Sequence, residues 1–281
     1  MNTIEFSNEY FNIKDTLDSG QIFRYKPFND GFLVFSGNYA CYVKEGKDTC
    51  QIESDNQSYF AEFFDLERDY AKINSFATLS QYSIVSRSAK LARGVRILNQ
   101  QKEEMVFSFI ISQNNMIPRI KAIIERTCLS LGEKKEFMGQ TYYTFPSAKI
   151  LASQSEEFYK GLGYGYRARY IVEVANAIVN GQIDLDKISL LSTEELKKSL
   201  MKLKGIGGKV ADCIALFGYH RVDSFPVDTW IERLYREDFG GKLTDRKKIN
   251  EWFLNEFGEY SGYVQQYVFY YKRSLEKDDK N

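Results

Sequence analysis

The spacing of apolar residues changes once along the chain, between about residues 90 and 98, and this change constrains the fold most. Before it, short aromatic and β-branched runs are separated by Asn-Asp-Gly at 29–31 and Gly-Asn at 37–38, which predicts antiparallel strands. After it, segments such as EEMVFSFIISQ place apolar residues at helical spacing. A β-rich front followed by an all-helical body predicts an α+β fold.

Domain boundaries follow from the same change. We predict a β-rich domain over residues 1–95 and a helical domain over residues 96–275. The charged tail EKDDKN, residues 276–281, is predicted to be disordered.

Composition limits the partners and the compartment. The 281 residues include 38 Lys and Arg against 38 Asp and Glu, a globular composition that does not by itself indicate a polyanionic partner. Residues 1–90 are net acidic and residues 91–281 are net basic, so a polyanion is expected to bind the second part. No apolar stretch approaches the ~20 residues that a membrane span requires.

The four cysteines predict reduced thiols. They form no CxxC pair, and no zinc-ligand spacing links them to the single histidine, His220. The N-terminal segment lacks the basic and apolar regions of a secretory signal peptide. We therefore expect reduced thiols in a cytoplasm. Usage rich in Lys, Asn, Ile and Tyr indicates a bacterium or an archaeon, and we expect a monomer that does not use a membrane.

Residues 203–228, LKGIGGKVADCIALFGYHRVDSFPVD, contain the most informative motif. Two helices joined by a turn with Gly205, Gly207 and Gly208 form a hairpin over residues 196–219. Glycines permit a positive φ and a close approach of the backbone, and N–H groups at a helix start attract phosphate. The turn therefore either binds a nucleic-acid phosphate through backbone groups or merely packs two helices.

Lys209 and Asp228 add chemistry to this hairpin. Lys209 shares a helix face with Asp212 and Cys213, three and four residues later, so the thiol is placed to form an ion pair with the ammonium. Pro226 makes the approach to Asp228 rigid and extended, which returns the carboxylate toward the helix start. An amine nucleophile beside a carboxylate suits Schiff-base chemistry at a sugar carbon that becomes cationic. The alternative is a solvated surface lysine.

At this point the sequence resembles a known family. The segment LKGIGGKVADC…FPVD is similar to the helix–hairpin–helix, Gly/Pro–Asp superfamily of DNA glycosylases. Four further segments narrow the resemblance to 8-oxoguanine DNA glycosylases with AP-lyase activity, namely DSGQIFRY (18–25), FIISQNNMIPRI (109–120), GYGYRARY (163–170) and GYVQQYVF (262–269). The resemblance implies a β-rich N-terminal domain like the TATA-box-binding protein, and double-stranded DNA containing 8-oxoguanine as the partner.

The resemblance also implies roles in chemistry and lesion recognition. Lys209 matches the nucleophile that attacks C1′, and Asp228 matches the carboxylate that stabilises the developing sugar cation. The Gly20 carbonyl matches the acceptor for the N7–H of 8-oxoguanine, a proton that guanine lacks. Gln265 matches the residue that reads the Watson–Crick edge of the base. Phe269 and Cys213 match the two faces that sandwich the flipped base, and Pro226 lines the same pocket.

Three of these assignments have plain alternatives. Gly20 is also what a tight turn requires. Phe269 is also an ordinary core aromatic, in a chain that is 15% aromatic. Gln265 has a neighbour, Gln266, which takes its place if the match slips by one residue.

A second group of residues matches the family's contacts with the rest of the duplex. Asn114 is expected to fill the space that the flipped base leaves, and Tyr166 is expected to wedge beside the estranged base. Arg119 and Arg167 are expected to read an estranged cytosine. The alternatives are phosphate contacts or surface charges for the arginines, and a helix C-cap for Asn114.

The chain departs from the family at Trp230, where relatives carry a phosphate-contacting histidine. Hairpins of this kind often hold a monovalent cation through backbone carbonyls, which here would be those of Met201, Leu203 and Ile206. No other cofactor is expected. The last cysteine is Cys213, so the four-cysteine iron–sulfur cluster that some relatives carry after the hairpin domain is excluded.

The sequence thus predicts a bifunctional enzyme that excises 8-oxoguanine opposite cytosine through Lys209 and then nicks the abasic site by β-elimination. Two alternatives stay open. One is a glycosylase of the same fold for another lesion, such as an alkylated purine, against which Gly20, Gln265 and Phe269 argue. The other is a helix–hairpin–helix module that binds DNA without chemistry, which has no need of Lys209 and Asp228.

Overall fold

The computed structural model describes residues 2–278, in which a five-stranded antiparallel sheet precedes a largely helical body. The strands of this sheet are β1 Asn2–Ser7, β2 Tyr25–Phe28, β3 Gly31–Ser36, β4 Tyr39–Glu45 and β5 Thr49–Ser54. Their order is β1-β5-β4-β3-β2. Asn29 and Gly37 adopt positive φ in the two predicted turns. The α+β prediction is confirmed.

Helices occupy most of the remaining chain. They are α1 Ile13–Asp18, α2 Gln57–Phe63, α3 Tyr70–Thr78, α4 Ser83–Leu91, α5 Lys102–Ser112, α6 Ile117–Leu131, α7 Ala148–Ala152, α8 Glu156–Gly161, α9 Arg167–Val179, α10 Leu185–Ile188, α11 Thr193–Leu200, α12 Gly208–Gly218, α13 Thr229–Asp238, α14 Arg246–Phe257 and α15 Ser261–Asp278. A single 3₁₀ turn, Gly258–Tyr260, leads into α15. Two short strands, β6 Lys134–Phe137 and β7 Gln140–Tyr143, form a separate hairpin.

Two regions fold differently from the prediction. The large sheet ends at Ser54, and α2, α3 and α4 occupy the rest of the region predicted to be β-rich. In α3, Tyr70, Ile73 and Ala77 are buried at helical spacing, a period that the intervening polar residues hide in the sequence. The body is also not all-helical, because β6 and β7 pair across a turn with Gly139 at φ +71.

The sheet and the helices form two main cores. Val34, Val43 and Ile52 of the sheet pack with Phe60 and Phe64 near α2. The larger core is helical and includes buried residues of α3 and α4 together with those of α5, α9, α12 and α15. The helices α3 and α4 therefore pack with the helical body although they precede residue 95.

The last helix brings the end of the chain back to its beginning. Tyr270 of α15 donates to Asp15 of α1 (2.6 Å), and Gln266 donates to the Ser19 carbonyl (3.2 Å). The helix continues to Asp278, so it includes the first three residues of the tail that was predicted to be disordered. Residues 279–281 of that tail lie outside the described residues.

The states of the cysteines and the lengths of the helices can be compared with the sequence predictions. Cys41, Cys50, Cys128 and Cys213 are buried and free, as reduced thiols require. Within residues 2–278, no helix is long and apolar enough to span a membrane. The same residues contain no group of three or more His, Cys, Asp or Glu side chains that could hold a metal ion.

Candidate active site

The turn between α11 and α12 uses its glycines in two ways. Gly205 has φ +86, and a Cβ there would lie 2.5 Å from Cγ of Tyr170, so this glycine is required for packing. Gly207, the N-cap of α12, is exposed, and no atom lies within 4 Å of its Cβ position. No side chain caps the first turn of α12, which leaves its N–H groups open to an anion.

Lys209 is half-buried in this first turn, one turn before the buried Cys213. Burial raises the pKa of Cys213 to about 11, against the opposing effect of Lys209. The thiol is therefore neutral at neutral pH, which corrects the predicted thiolate–ammonium ion pair. The Cys213 sulfur and, after it, the Asp228 carboxylate raise the pKa of Lys209 against the effect of burial. Because the thiol is neutral, Asp228 is the charged partner that remains.

Asp228 is fixed at the start of α13. Its Oδ1 accepts hydrogen bonds from the backbone N–H groups of Trp230 (3.0 Å) and Ile231 (2.9 Å), which makes it the N-cap of that helix. The other oxygen, Oδ2, takes no part in the cap. The buried Pro226 precedes it in a segment without helix or strand, and Asp228 itself has extended torsions. The cap thus holds one oxygen and leaves the second available to the lysine or to a substrate.

A buried network that the sequence analysis did not find anchors this segment. Asn250 Nδ2 on α14 donates to the Phe225 carbonyl (2.6 Å) and to Asp212 Oδ2 (3.2 Å). Asp212 also pairs with Lys197 of α11, and burial raises its pKa to about 6. The only available signal was an aspartate in the otherwise apolar run VADCIALF. The network ties both hairpin helices to the segment that carries Asp228.

Gly20 and Phe269 lie in contact although 249 positions separate them. Gly20 has φ +88, and a Cβ there would lie 3.2 Å from Cε1 of Phe269 and 2.9 Å from Nη1 of Arg273. The Phe269 ring also meets Trp230 edge-on, with ring centroids 5.5 Å apart. Because Trp230 is in the first turn of α13, this contact connects the Gly20 pocket to the helix that Asp228 caps.

The two adjacent glutamines of α15 have different environments. Gln265 is buried one turn before Phe269, and its Oε1 has no hydrogen-bond partner among the described residues. Gln266 is also buried, but its Nε2 donates to the Ser19 carbonyl. An orphaned buried acceptor is costly unless a ligand or water pairs with it. The arrangement favours Gln265 as the base-reading residue and gives Gln266 a role in the protein itself.

The residues predicted to face the rest of the duplex lie together on the surface. Asn114 is exposed with φ +44, and the Tyr166 side chain is 56% exposed. Arg119 is exposed, and its Nη2 donates to the Gly163 carbonyl at 3.3 Å. These three side chains are accessible to DNA without rearrangement of the core.

Arg167 differs from this group because it is buried, with 4% of the residue exposed. Its Nε donates to the Gln113 carbonyl (2.8 Å), its Nη2 to the carbonyls of Gln113 and Asn114, and its Nη1 to that of Tyr164 (3.2 Å). In this structure its guanidinium therefore holds the backbone next to Asn114. Four of its five N–H donors are thus used by backbone carbonyls, so a contact with cytosine through more than one donor would require Arg167 to release some of these bonds.

The predicted cation ligands lie in the hairpin turn, where two of the three carbonyls are open. No backbone N–H of the described residues donates to the carbonyls of Met201 or Ile206, whereas Leu203 accepts from Ile206 N–H at 3.1 Å. Carbonyl oxygens that accept no hydrogen bond are the ligands that a monovalent cation would use. The residues present are therefore compatible with the cation.

Comparison with known proteins identifies the family of this chain. Two family models match, the 8-oxoguanine DNA glycosylase N-terminal domain over residues 3–106 and the HhH-GPD superfamily base excision DNA repair protein over residues 107–258. The N-glycosylase/DNA lyase OGG1 of Arabidopsis thaliana is 31% identical over 277 residues, which cover 90% of this chain and 75% of the relative.

Two solved structures are similar along almost their whole length. The structure of MBOgg1 in complex with a low-affinity DNA ligand has a TM-score of 0.92 and 35% identity, covering 98% of this chain and 97% of that one. The Clostridium acetobutylicum 8-oxoguanine glycosylase/lyase, in complex with double-stranded DNA containing cytosine opposite 8-oxoguanine, has a TM-score of 0.90 and 33% identity, covering 98% and 99%. The chain therefore belongs to the HhH-GPD superfamily of base excision DNA repair proteins, and within it to the 8-oxoguanine DNA glycosylases.

Proposed function

We propose that this protein is a bifunctional DNA repair glycosylase that excises 8-oxoguanine opposite cytosine from duplex DNA and then nicks the abasic site. The observations that carry the proposal are the contact of Gly20 with Phe269, the unpartnered Oε1 of the buried Gln265 one turn earlier, and the contact of Phe269 with Trp230 on the helix that Asp228 caps. In the proposal, Gly20, Gln265 and Phe269 line the pocket for the flipped base. A base held in this pocket has its sugar near Lys209.

Duplex binding begins at the uncapped start of α12. The exposed Gly207 allows the DNA backbone to approach closely, and the N–H groups there bind a phosphate without a basic side chain. A base inside the stack is inaccessible, so the damaged nucleotide is flipped out, and Asn114 and Tyr166 occupy the space beside the orphaned partner. Their exposed positions suit this role. A cation held by Met201, Leu203 and Ile206 would add positive charge at the same turn.

Lys209 and Asp228 carry out the chemistry. The Lys209 ammonium gives up a proton, which the departing base takes up, so the Asp228 carboxylate that favours the charged form of Lys209 stays ionised. The free amine attacks C1′, and the base leaves with the electrons of the glycosidic bond while Asp228 stabilises the cationic sugar. Opening of the sugar ring gives an imine, after which loss of a C2′ proton expels the 3′-phosphate and nicks the strand.

Lesion specificity follows from the Gly20 carbonyl. The N7–H of 8-oxoguanine donates to this acceptor, whereas guanine presents an N7 lone pair to it. An unpaired buried acceptor costs about 1–3 kcal/mol, so one carbonyl distinguishes two bases of nearly the same shape. Gln265 adds contacts with the Watson–Crick edge through its unpartnered Oε1 and its amide.

As part of the same proposal, the protein acts as a monomer in the cytoplasm of a prokaryotic cell and requires no cofactor for the reaction. The four free cysteines are consistent with a reducing compartment. Double-stranded DNA containing the lesion is its partner.

The test compares three duplexes that carry 8-oxoguanine opposite cytosine, 7-methylguanine opposite cytosine, or no lesion. We expect base release and strand cleavage only with the first, both lost in Lys209→Gln. The exposed Lys204 of the same turn provides a matched control, and Lys204→Gln should retain activity. Release of 7-methylguanine instead would indicate an alkylated-base glycosylase, and binding without release from any duplex would indicate a DNA-binding module.

A further inference from the structure

Three consecutive carbonyls around Gly20 differ in how they are bonded. The Ser19 carbonyl accepts a hydrogen bond from Gln266 Nε2 (3.2 Å), and the Gln21 carbonyl accepts one from Gln100 Nε2 (2.8 Å). Between them, the Gly20 carbonyl accepts no hydrogen bond from the described residues. The two flanking carbonyls are thus occupied by side-chain amides, and the one proposed to contact the lesion is left open.

A third amide connects this loop to the segment before α5. Gln21, which is fully buried, donates through Nε2 to Ser19 Oγ (2.9 Å) and to the Arg96 carbonyl (2.7 Å). Its Oε1 accepts the Leu98 backbone N–H at 2.7 Å. Fully satisfied buried amide networks fix one arrangement, because breaking any bond leaves a desolvated polar group.

The hydrogen bonds to the Ser19 and Gln21 carbonyls affect the direction of the Gly20 carbonyl. The direction of the Gly20 carbonyl is set by the torsions of Gly20 and Gln21, and a glycine at φ +88 has no side chain to restrain it. Hydrogen bonds to the carbonyls before and after Gly20 therefore supply the restraint that the residue itself lacks. One of them comes from Gln266, which stands between the base-reading Gln265 and the stacking Phe269 on the same helix.

We propose that Gln21, Gln100 and Gln266, here called the amide clamp, are positioning residues that aim the Gly20 carbonyl and so set the discrimination between 8-oxoguanine and guanine. The proposal rests on the proposed function of the pocket and adds the residues that determine its specificity. Recognition by a single hydrogen bond tolerates an error of only about 0.5 Å in the acceptor position. Loss of the clamp should therefore reduce discrimination while contacts with the DNA backbone persist.

The experiment measures binding in a Lys209→Gln parent, in which excision does not interfere. Affinities are measured for duplexes with 8-oxoguanine opposite cytosine, guanine opposite cytosine, and a tetrahydrofuran abasic analogue opposite cytosine. Gln266→Met removes the amide at nearly constant volume, and Gln100→Met repeats the test from the other side should the first variant fail to fold. Val268→Ala, at a buried position on the same helix whose side chain cannot donate a hydrogen bond to the loop carbonyls, is the matched control.

We expect the ratio of affinities for 8-oxoguanine and guanine to fall about tenfold in either methionine variant, with abasic-analogue affinity unchanged. Val268→Ala should retain the parent's ratio. An unchanged ratio in folded Gln266→Met and Gln100→Met would overturn the clamp but leave the proposed function intact. A parent that does not prefer 8-oxoguanine to guanine would overturn both.

Discussion

The lesion side and the opposite-base side of the site are built differently. On the lesion side, Gln265 and Cys213 are buried, and Gly20 is in contact with the Phe269 ring before any base arrives. On the opposite-base side, Asn114, Arg119 and Tyr166 are exposed. The exception on that side, Arg167, is buried and bonded to backbone carbonyls.

This difference separates a preorganised pocket from a surface that is completed by DNA. The lesion side has an open backbone carbonyl and the amide oxygen of a buried glutamine, groups that lose little conformational freedom at binding. The opposite-base surface has long exposed side chains that must be ordered when DNA binds. Discrimination of the lesion should therefore be more sensitive to small structural changes than discrimination of the opposite base.

The largest effect is expected from Gly20→Ala. The new Cβ would lie 3.2 Å from Phe269 and 2.9 Å from Arg273. The backbone φ of +88 also costs a residue other than glycine about 1–2 kcal/mol. We expect single-turnover excision to fall at least about 100-fold, since the loop must move the carbonyl to relieve the contacts. Gly161→Ala, at the end of α8 where no atom lies within 4 Å of the new Cβ, should lose far less. Equal losses in the two variants would mean that the pocket is not preorganised.

Arg167→Met should mainly affect stability. The substitution leaves the carbonyls of Gln113 and Asn114 without their donor, whereas the Tyr164 carbonyl keeps the backbone N–H of residue 167, and we expect the free energy of unfolding to fall by about 2–3 kcal/mol. Urea unfolding measures this change, and Arg119→Met is the control because that side chain is exposed. If Arg167→Met retains full stability but accepts every base opposite the lesion, Arg167 reads cytosine as the family resemblance implies.

Acid titration should probe the buried network that anchors the Asp228 segment through Asp212, whose pKa burial raises from 3.8 to about 6. A raised carboxyl pKa means that the folded state keeps its proton longer, so this group's contribution to stability falls as pH rises from about 4 to 6. Relative to the wild type, Asp212→Asn should therefore gain about 2 kcal/mol over that range and no more above pH 7. Unfolding curves at pH 4.5, 5.5, 6.5 and 7.5 measure the difference. A constant difference would show that Asp212 does not titrate in this window.

The smallest effect is expected from Arg119→Ala, which should relax the preference for cytosine about tenfold. Excision from duplexes with cytosine, adenine or thymine opposite 8-oxoguanine measures this preference. The rate with cytosine should fall while the other rates stay similar, because the arginine is exposed and its hydrogen bond to the Gly163 carbonyl lies at the surface. Unchanged ratios would assign Arg119 to a phosphate.

Local motifs made much of this site predictable. The turn glycines, Lys209 and Asp228 lie within 24 residues of one another along the chain, in the hairpin and the segment that follows it. The sequence therefore predicts directly that they are close in space. Gly20 and Phe269 were linked only by resemblance, because 249 positions separate them. Their contact depends on where α15 packs, which no local pattern encodes.

The roles of the remaining site residues depend on their burial, and the sequence does not show whether an individual polar residue is buried. Gln265 and Gln266 are both buried on α15, and only the position of the Ser19 carbonyl tells their roles apart. From the sequence, Arg167 at the start of α9 could be a surface charge, and only the structure shows that it donates to the Asn114 carbonyl. Asp212 was assigned to the face of Lys209, whereas tertiary packing pairs it with Lys197.

The most direct test of the central claim is borohydride trapping on a duplex with one 8-oxoguanine opposite cytosine, beside an undamaged duplex. Reduction of the imine would join Lys209 covalently to the sugar. We predict a stable protein–DNA adduct only with the lesion, retained in Lys204→Gln and absent in Lys209→Gln. An adduct that persists in Lys209→Gln, or lesion-specific base release without any adduct, would contradict the assignment of Lys209 as the nucleophile.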